Sequence, residues 1–255
     1  MNPEFDPALL SCIEDAGLNA SAPPQQRWVD GWLVRFSPGK AKRARCVNAV
    51  AEGRLPVDTK LEMCRSIYAS AGLPLVVRVT PFSVPGDLDA RLAAAGFVRF
   101  DDTCVMVRAT LDDLPRASAG ELRIEQVPLR TFAETVGRFR GSTLAEREAH
   151  AHRLAESPVP FVPYVLTDPE RGALACGQAA VEGRLVGIYD VYTAAPERGR
   201  GLASVLCTRL LGQARERGAT TAYLQVEAEN EGARRVYRRL GFEDAYTYHY
   251  RGQAA

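Results

Sequence analysis

The sequence predicts an α/β protein of two similar halves, each a mixed, twisted sheet flanked by helices, and three observations predict it. Apolar runs of strand length, such as Leu75-Val76-Val77-Arg78-Val79, alternate with stretches whose apolar residues recur at helical spacing, such as Leu61, Cys64, Ile67 and Tyr68. The order helix, strand, helix, strand occurs twice, with Gly96-Phe97 and Gly241-Phe242 at the same place in each copy. Between the copies lies a polar stretch with a breaker, Leu111 to Ala119, where a chain of 255 residues divides into two domains of ordinary size. The expected domains are residues 1–110 and 120–255.

Phe5 to Ala16 reads as a short helix closed by Gly17 and followed by the linker-like Asn19-Ala20-Ser21-Ala22-Pro23-Pro24. Strand patterns at 28–36 and 44–50 flank Ser37-Pro38-Gly39, which predicts a hairpin. Asp58 or Thr59 caps a helix over 61–68 that stops at Gly72, and 75–79 is a buried strand. A helix over 88–95 ends at Gly96, and 103–109 returns as a strand. The second half opens with a strand over 122–127 and helices over roughly 129–138 and 144–156. Strands at 162–166 and 173–181 flank a turn over 168–172, a second hairpin. Strand 184–193, a loop, a helix to about Gly218, strand 222–227, helix 231–240 and strand 245–251 complete the chain.

Composition excludes several classes. A net charge of +1 offers no bulk attraction to nucleic acid or membrane, and a single Arg-Gly-Arg-Gly lacks the basic stripe that RNA binding needs. No stretch approaches the length of a membrane span. Six scattered cysteines without ligand spacing, and an acidic start with no apolar leader, read as a cytoplasmic protein with reduced thiols. His150 and His152 lie two apart on a helix and share no face, so they are expected at the surface rather than on a metal. Trp28 and Trp32 are core anchors or line a groove between the domains. Tyr246-Thr247-Tyr248-His249-Tyr250 alternates as a half-buried strand does, although such a strand can also border a pocket.

The stretch richest in chemistry is Val191 to Ala203. An apolar strand, Leu185-Val186-Gly187-Ile188-Tyr189, leads to a loop with two glycines, after which Leu202, Val205, Leu206 and Leu210 open a helix. The first amides of a helix have no intrahelical partner and sit at the positive end of its dipole, so this loop can hold a phosphate. Arg198 and Arg200 add charge, but with only three lysines in the chain an Arg pair is weak evidence by itself. The first half has no counterpart: Ser37-Pro38-Gly39-Lys40 opens no helix and reads as a turn.

Three features then fall in one order: Arg198-Gly199-Arg200-Gly201-Leu202-Ala203; Asn230-Glu231-Gly232-Ala233 with Tyr237 seven residues after the Asn; and Gly241-Phe242. This resembles the GNAT superfamily of acyl-CoA-dependent N-acyltransferases over roughly residues 121–251, with the first half resembling a degenerate tandem copy that lacks the pyrophosphate loop. The resemblance implies acetyl-CoA as cofactor. It places the pyrophosphate on the amides of Arg198, Gly199, Arg200, Gly201, Leu202 and Ala203, and the pantetheine on the backbone of Val191, Tyr192 and Thr193. That pairing requires strand 184–193 to splay from strand 222–227. Asn230 caps its helix and, with Ala233, either does only that or also touches the cofactor. Tyr237 is the expected proton donor to the departing thiolate, the alternative being a core-edge tyrosine on the stripe Ala233-Val236-Leu240.

The base stays open between Asp190, Glu227 and water. Asp190 sits in an apolar strand, where an unpaired carboxylate is costly, but alternation places it opposite Tyr189, Val191 and Thr193, so it could instead pair with an Arg. Glu227 ends the neighbouring strand. The expected function is acetyl transfer to a primary amine, on a small molecule or a peptide, by direct attack on the thioester, in a monomer or homodimer that binds no nucleic acid. A coenzyme A-binding sensor without turnover is the alternative.

Overall fold

Among the described residues, strand alternation and helical stripes assemble into one eleven-stranded sheet with helices on both faces. The computed structural model describes residues 1–37, 41–115 and 122–253. The first half runs α1 (Pro7–Ala20), β1 (Gln26–Val29), β2 (Trp32–Arg35), a 3-10 turn (Lys42–Ala44), β3 (Val47–Asn48), α2 (Val57–Ser70), β4 (Val76–Val79), α3 (Leu88–Ala94) and β5 (Phe97–Arg108). The second runs β6 (Arg123–Gln126), α4 (Leu129–Phe139), α5 (Leu144–Ala155), β7 (Phe161–Asp168), β8 (Gly172–Glu182) and β9 (Leu185–Thr193), then a 3-10 turn (Ala195–Glu197). It closes with α6 (Leu202–Glu216), β10 (Thr221–Glu227), α7 (Glu231–Arg239) and β11 (Glu243–Gln253).

Local chemistry fixes the helix starts. Asp6 accepts from the Ala8 amide ahead of Pro7, and Thr143 with Glu146 forms a capping box on α5. The cap expected at Asp58 or Thr59 is instead Pro56, with Asp58 in the first turn, because Pro at the boundary fixes the entry of the chain. Residues 28–36 are not one strand. Asp30-Gly31, both at positive φ (41° and 86°), folds them into the β1–β2 hairpin, and β2 then pairs antiparallel with β3. The connection expected as a turn at Ser37-Pro38-Gly39 lies mostly outside the described residues, as does much of the stretch where the domain division is expected.

The sheet order is β1-β2-β3-β4-β11-β5-β10-β9-β8-β7-β6. Its centre holds a reciprocal exchange: β5, the last strand of the first half, pairs with β10, and β11, the last of the second, pairs with β4, while β5 and β11 pair with each other. All these contacts are antiparallel. Each half therefore completes the other's sheet. Gly241 shapes the turn into β11: it sits at φ 78°, and a Cβ there would collide with the Arg108 guanidinium, which donates to the Leu240 carbonyl.

One sheet face packs α6 and α7 over Val186, Ile188, Leu224, Val226 and Phe242. The other is covered by α1 over Tyr223, Tyr246, Tyr248 and Tyr250, and by α4 and α5 over Val165 and Cys176. Burying a large apolar side chain contributes about 1.5–3 kcal/mol, which is why these faces set the register. Trp32 is fully buried in the core of the first half, whereas Trp28 is exposed. All six cysteines are free and all but Cys12 are buried; burial pushes the Cys64, Cys104, Cys176 and Cys207 thiols up to about 12. Among the described residues no helix is long and apolar enough to cross a membrane.

Candidate functional site

β9 and β10 run parallel and paired from Leu185/Thr221 to Ile188/Leu224, where pairing stops although both strands continue. The cause lies in β9. Asp190 adopts φ 49° in a bulge, marked by a register shift opposite Gly177, so β9 follows β8 to Thr193 and leaves β10. The β10-facing edge of Val191, Tyr192 and Thr193 is thereby unpaired, a place where an extended amide-bearing ligand can add as a strand.

β9 leads into the glycine loop. Gly199 and Gly201 take φ 78° and 77°, and α6 begins at Leu202 with no side-chain cap. None of the amides of Gly199, Arg200, Gly201, Leu202, Ala203 and Ser204 donates to a protein acceptor among the described residues. Six N–H groups without a protein acceptor, all but that of Leu202 on exposed or half-buried residues, gather at the positive end of a 15-residue helix and can cradle an anion. The arginine side chains are turned elsewhere: Arg198 lies over the Tyr192 ring at 5.5 Å and Arg200 pairs with Glu197, which Arg171 also holds at 2.8 Å.

The first half contains the same parallel crossover, β3-α2-β4, without the cradle. There the Asp30 carboxylate accepts from the Arg54 and Leu55 amides at 2.8 and 2.7 Å, with Lys60 Nζ at 3.7 Å. Those amide bonds, Leu55 first, hold the Asp30 carboxyl below its ordinary value. The protein's own carboxylate occupies the place of an anion.

On the α6 face, Asn230 caps α7 by accepting from the Ala233 amide at 3.0 Å. Tyr237 is half-buried between α7 and α6, its ring 6.1 Å from Phe242, and burial raises its phenol well above the ordinary range. Glu227 is exposed at the end of β10, its carbonyl accepting from the Asn230 amide.

Asp190 does not lie opposite Tyr189. The bulge turns both to the α1–α4 face, where the Asp190 carboxylate binds Arg140 Nη2 (2.8 Å) and Gln178 Nε2 (2.7 Å) and lies 3.3 Å from His150 Nε2. Burial pushes its carboxyl up, but the His150 and Arg140 contacts outweigh it and the net shift is down. So anchored, it is a poor proton acceptor at neutral pH and serves as an ion-pair hub. His150 is correspondingly buried rather than at the surface, because the hub draws α5 onto the sheet.

Beside the notch, on the α1 face, stand residues from distant parts of the chain. Gln225, the first residue past the last β9–β10 pair, accepts from Tyr248 Oη at 2.8 Å and from Arg43 Nη1. Tyr189 and Tyr223 share a 2.7 Å hydroxyl hydrogen bond. Arg78 lies over the Tyr248 ring at 3.8 Å and pairs with Glu14, which also accepts from Tyr246 at 2.8 Å. A cleft of about 230 Å³ opens between α1 and β3–β4 beside Glu14 and Arg78. The tyrosine alternation of β11 is visible in the sequence; Arg43, Glu14 and Gln225 carry no local signal, since α1 and the strand exchange bring them together.

The chain matches, over residues 10–251, the family described as "Probable histone acetyltransferase Rv0428c C-terminal". It is 25% identical over 232 residues to an uncharacterized N-acetyltransferase, YobR, of Bacillus subtilis, covering 89% of this chain and 91% of that protein. It superposes on a GCN5-related N-acetyltransferase from Kribbella flavida with a TM-score of 0.70 at 19% identity, covering 97% and 95% of the two chains. A tandem GNAT protein from the clavulanic acid biosynthesis pathway shares the fold at a TM-score of 0.61 and 14% identity, covering 76% of this chain and 68% of that one.

Proposed function

Because the chain belongs to that family, among the GCN5-related N-acetyltransferases, we propose that it is an acetyl-CoA-dependent enzyme acetylating a primary amine in the cytoplasm. The observation that carries the reading is the run of unpaired amides from Gly199 to Ser204 at the mouth of the β9–β10 notch. The pyrophosphate sits on those amides, the pantetheine adds to the free edge of Val191, Tyr192 and Thr193, and the thioester lies between the strands. Asn230 and Ala233 border the cofactor from α7. The first half is the degenerate copy, its equivalent loop filled by Asp30.

The acceptor reaches the thioester from the α1 face as a neutral amine. Its nitrogen bonds to the acetyl carbon, the tetrahedral intermediate collapses with loss of the C–S bond, and the thiolate takes a proton from Tyr237. The phenol is protonated at neutral pH, so the proton is in place, and the burial that raises its pKa makes it a weaker acid that gives the proton up only to a strongly basic thiolate beside it. With Asp190 engaged and Glu227 at the exposed strand end, the amine proton leaves through water. Tyr237→Phe is expected to lower kcat by about tenfold or more while acetyl-CoA affinity holds. Steady-state thiol release and calorimetry read the two separately, and unchanged turnover removes Tyr237 from the mechanism.

One observation favours a coenzyme A sensor instead: among the site carboxylates none is both free and inside the notch. Acceptor-dependent thiol release over a panel of amines distinguishes the two, since a sensor binds acetyl-CoA and releases none.

A further inference from the structure

Among the described residues, two guanidinium groups on the acceptor side of the notch make no hydrogen-bonded ion pair with a carboxylate. Arg43, half-buried in the 3-10 turn before β3, is hydrogen-bonded to Gln225 and to Tyr248, both neutral amide or phenol groups. Arg153 lies on α5 three residues beyond His150, which places it on the flank that α5 turns to the sheet. Among the described residues it is within hydrogen-bond or ion-pair distance of no group. Arg43 comes from the first half and Arg153 from α5 of the second; burial lowers the pKa of the Arg153 guanidinium, the Asp190 carboxylate draws it back up, and Arg140 and Arg43 repel it.

The nearest carboxylates with cation partners are committed elsewhere: Glu14 is taken by Arg78 and Tyr246, and Asp190 by Arg140 and Gln178, while Glu182 accepts only from Asn19 at 2.8 Å and leaves its Oε2 without a hydrogen bond. Arg35 adds to the positive charge: it is 2% exposed and among the described residues donates only to uncharged oxygens, those of Leu18, Ser21, Gln26 and Arg43. Guanidinium groups removed from water without an anion are unfavourable, and such groups gathered beside a reaction site fit an anionic ligand.

We propose that the acceptor amine carries an anionic group, a carboxylate or a phosphate, which Arg43 and Arg153 hold while the amine reaches the thioester beside Gln225. This rests on the notch being an acetyltransferase site. The same charge repels a lysine set among basic residues, so a histone-like peptide is a poor acceptor beside Arg43 and Arg153.

The test measures acetyl-CoA-dependent thiol release for matched pairs: β-alanine against propylamine, phosphoethanolamine against ethanolamine, and glutamate against its diester, with a lysine-rich peptide alongside. The expected result is a kcat/KM at least about tenfold higher for the anionic member of one or more pairs, the pairs separating carboxylate from phosphate. Arg153→Gln, which removes no contact of the fold, is expected to erase about tenfold of that preference and leave the neutral amine within about twofold. Arg43→Lys is expected to retain more of it than Arg43→Gln. The proposal is overturned if no anionic amine outpaces its neutral match, if the lysine-rich peptide is the best acceptor, or if the Arg153 variant slows all acceptors equally. Calorimetry with acetyl-CoA alone separates the two levels: binding without anion preference sinks this inference only, and absence of binding sinks the acetyltransferase reading with it.

Discussion

Gly201→Val is expected to weaken acetyl-CoA binding by roughly a hundredfold or more while the protein stays folded. Gly201 holds φ 77° as the residue before α6, and no heavy atom lies within 4 Å of where its Cβ would project. The added side chain therefore meets nothing in the unliganded protein, and the fold bears only the left-handed backbone cost, about 1–2 kcal/mol. The ligand meets more. A β-branched residue held there covers the amides proposed to face the pyrophosphate. Losing two charge-assisted bonds of about 1.5–3 kcal/mol each gives about 3 kcal/mol or more, which is the hundredfold. Calorimetric titration with acetyl-CoA measures it, and thermal unfolding of the free variant supplies the control. An affinity within about threefold of wild type would place the pyrophosphate away from the cradle and undo the functional reading with it.

Glu14→Ala is expected to destabilise the protein by about 3–5 kcal/mol, a large part of the stability of a domain of this size. Glu14 and Arg78 are 8% and 2% exposed, and the carboxylate meets Arg78 through both oxygens while accepting from Tyr246. Truncation leaves a buried guanidinium and a buried phenol without partners. The pair joins α1 to β4 and β11, so the loss falls on the junction between the halves. Glu14→Gln, which keeps a hydrogen-bonding amide, is expected to lose less.

The same pair sets a pH dependence. Burial raises the Glu14 carboxyl, but the charge and hydrogen bonds of Arg78, with the bond from Tyr246, outweigh it, and the folded value lies below the ordinary 4.5. A depressed carboxylate contributes stability that is fully present above its unfolded pKa and is lost as pH falls through the folded one. Chemical-denaturation midpoints taken downward from pH 5 are therefore expected to drop more steeply for the wild type than for Glu14→Ala. Parallel curves would mean that the pair is hydrated through the neighbouring cleft.

Much of the molecule is legible from the chain alone because its signals are local. The glycine loop before α6, the Asn230 cap and the Gly241 turn each depend on residues within a few positions, and periodicity places most strands and helices to within a few residues. Legibility fails where a residue's partner is distant or its backbone leaves the regular path. The left-handed φ at Asp190 cancels the alternation argument: a bulge shifts every later side chain to the other face, and no propensity announces a bulge at an aspartate. His150 reads as a surface residue for the same reason, since its partner lies on a strand 40 positions away.

Two similar α/β halves, a mixed sheet, and a glycine loop opening a helix in the second half are readable from the chain alone. These follow from hydrophobic period and from the positive φ that only glycine adopts freely. Only the folded molecule reveals that the halves trade their last strands into one sheet, that Asp30 fills the first half's counterpart of the loop, and that Arg43 from one half meets Gln225 and Tyr248 from the other. The difference is one of range. Backbone geometry is dictated by neighbours in sequence, whereas charge compensation in a buried site is settled among groups far apart in the chain, and which arginine lacks an anion is known only once every carboxylate has found its partner.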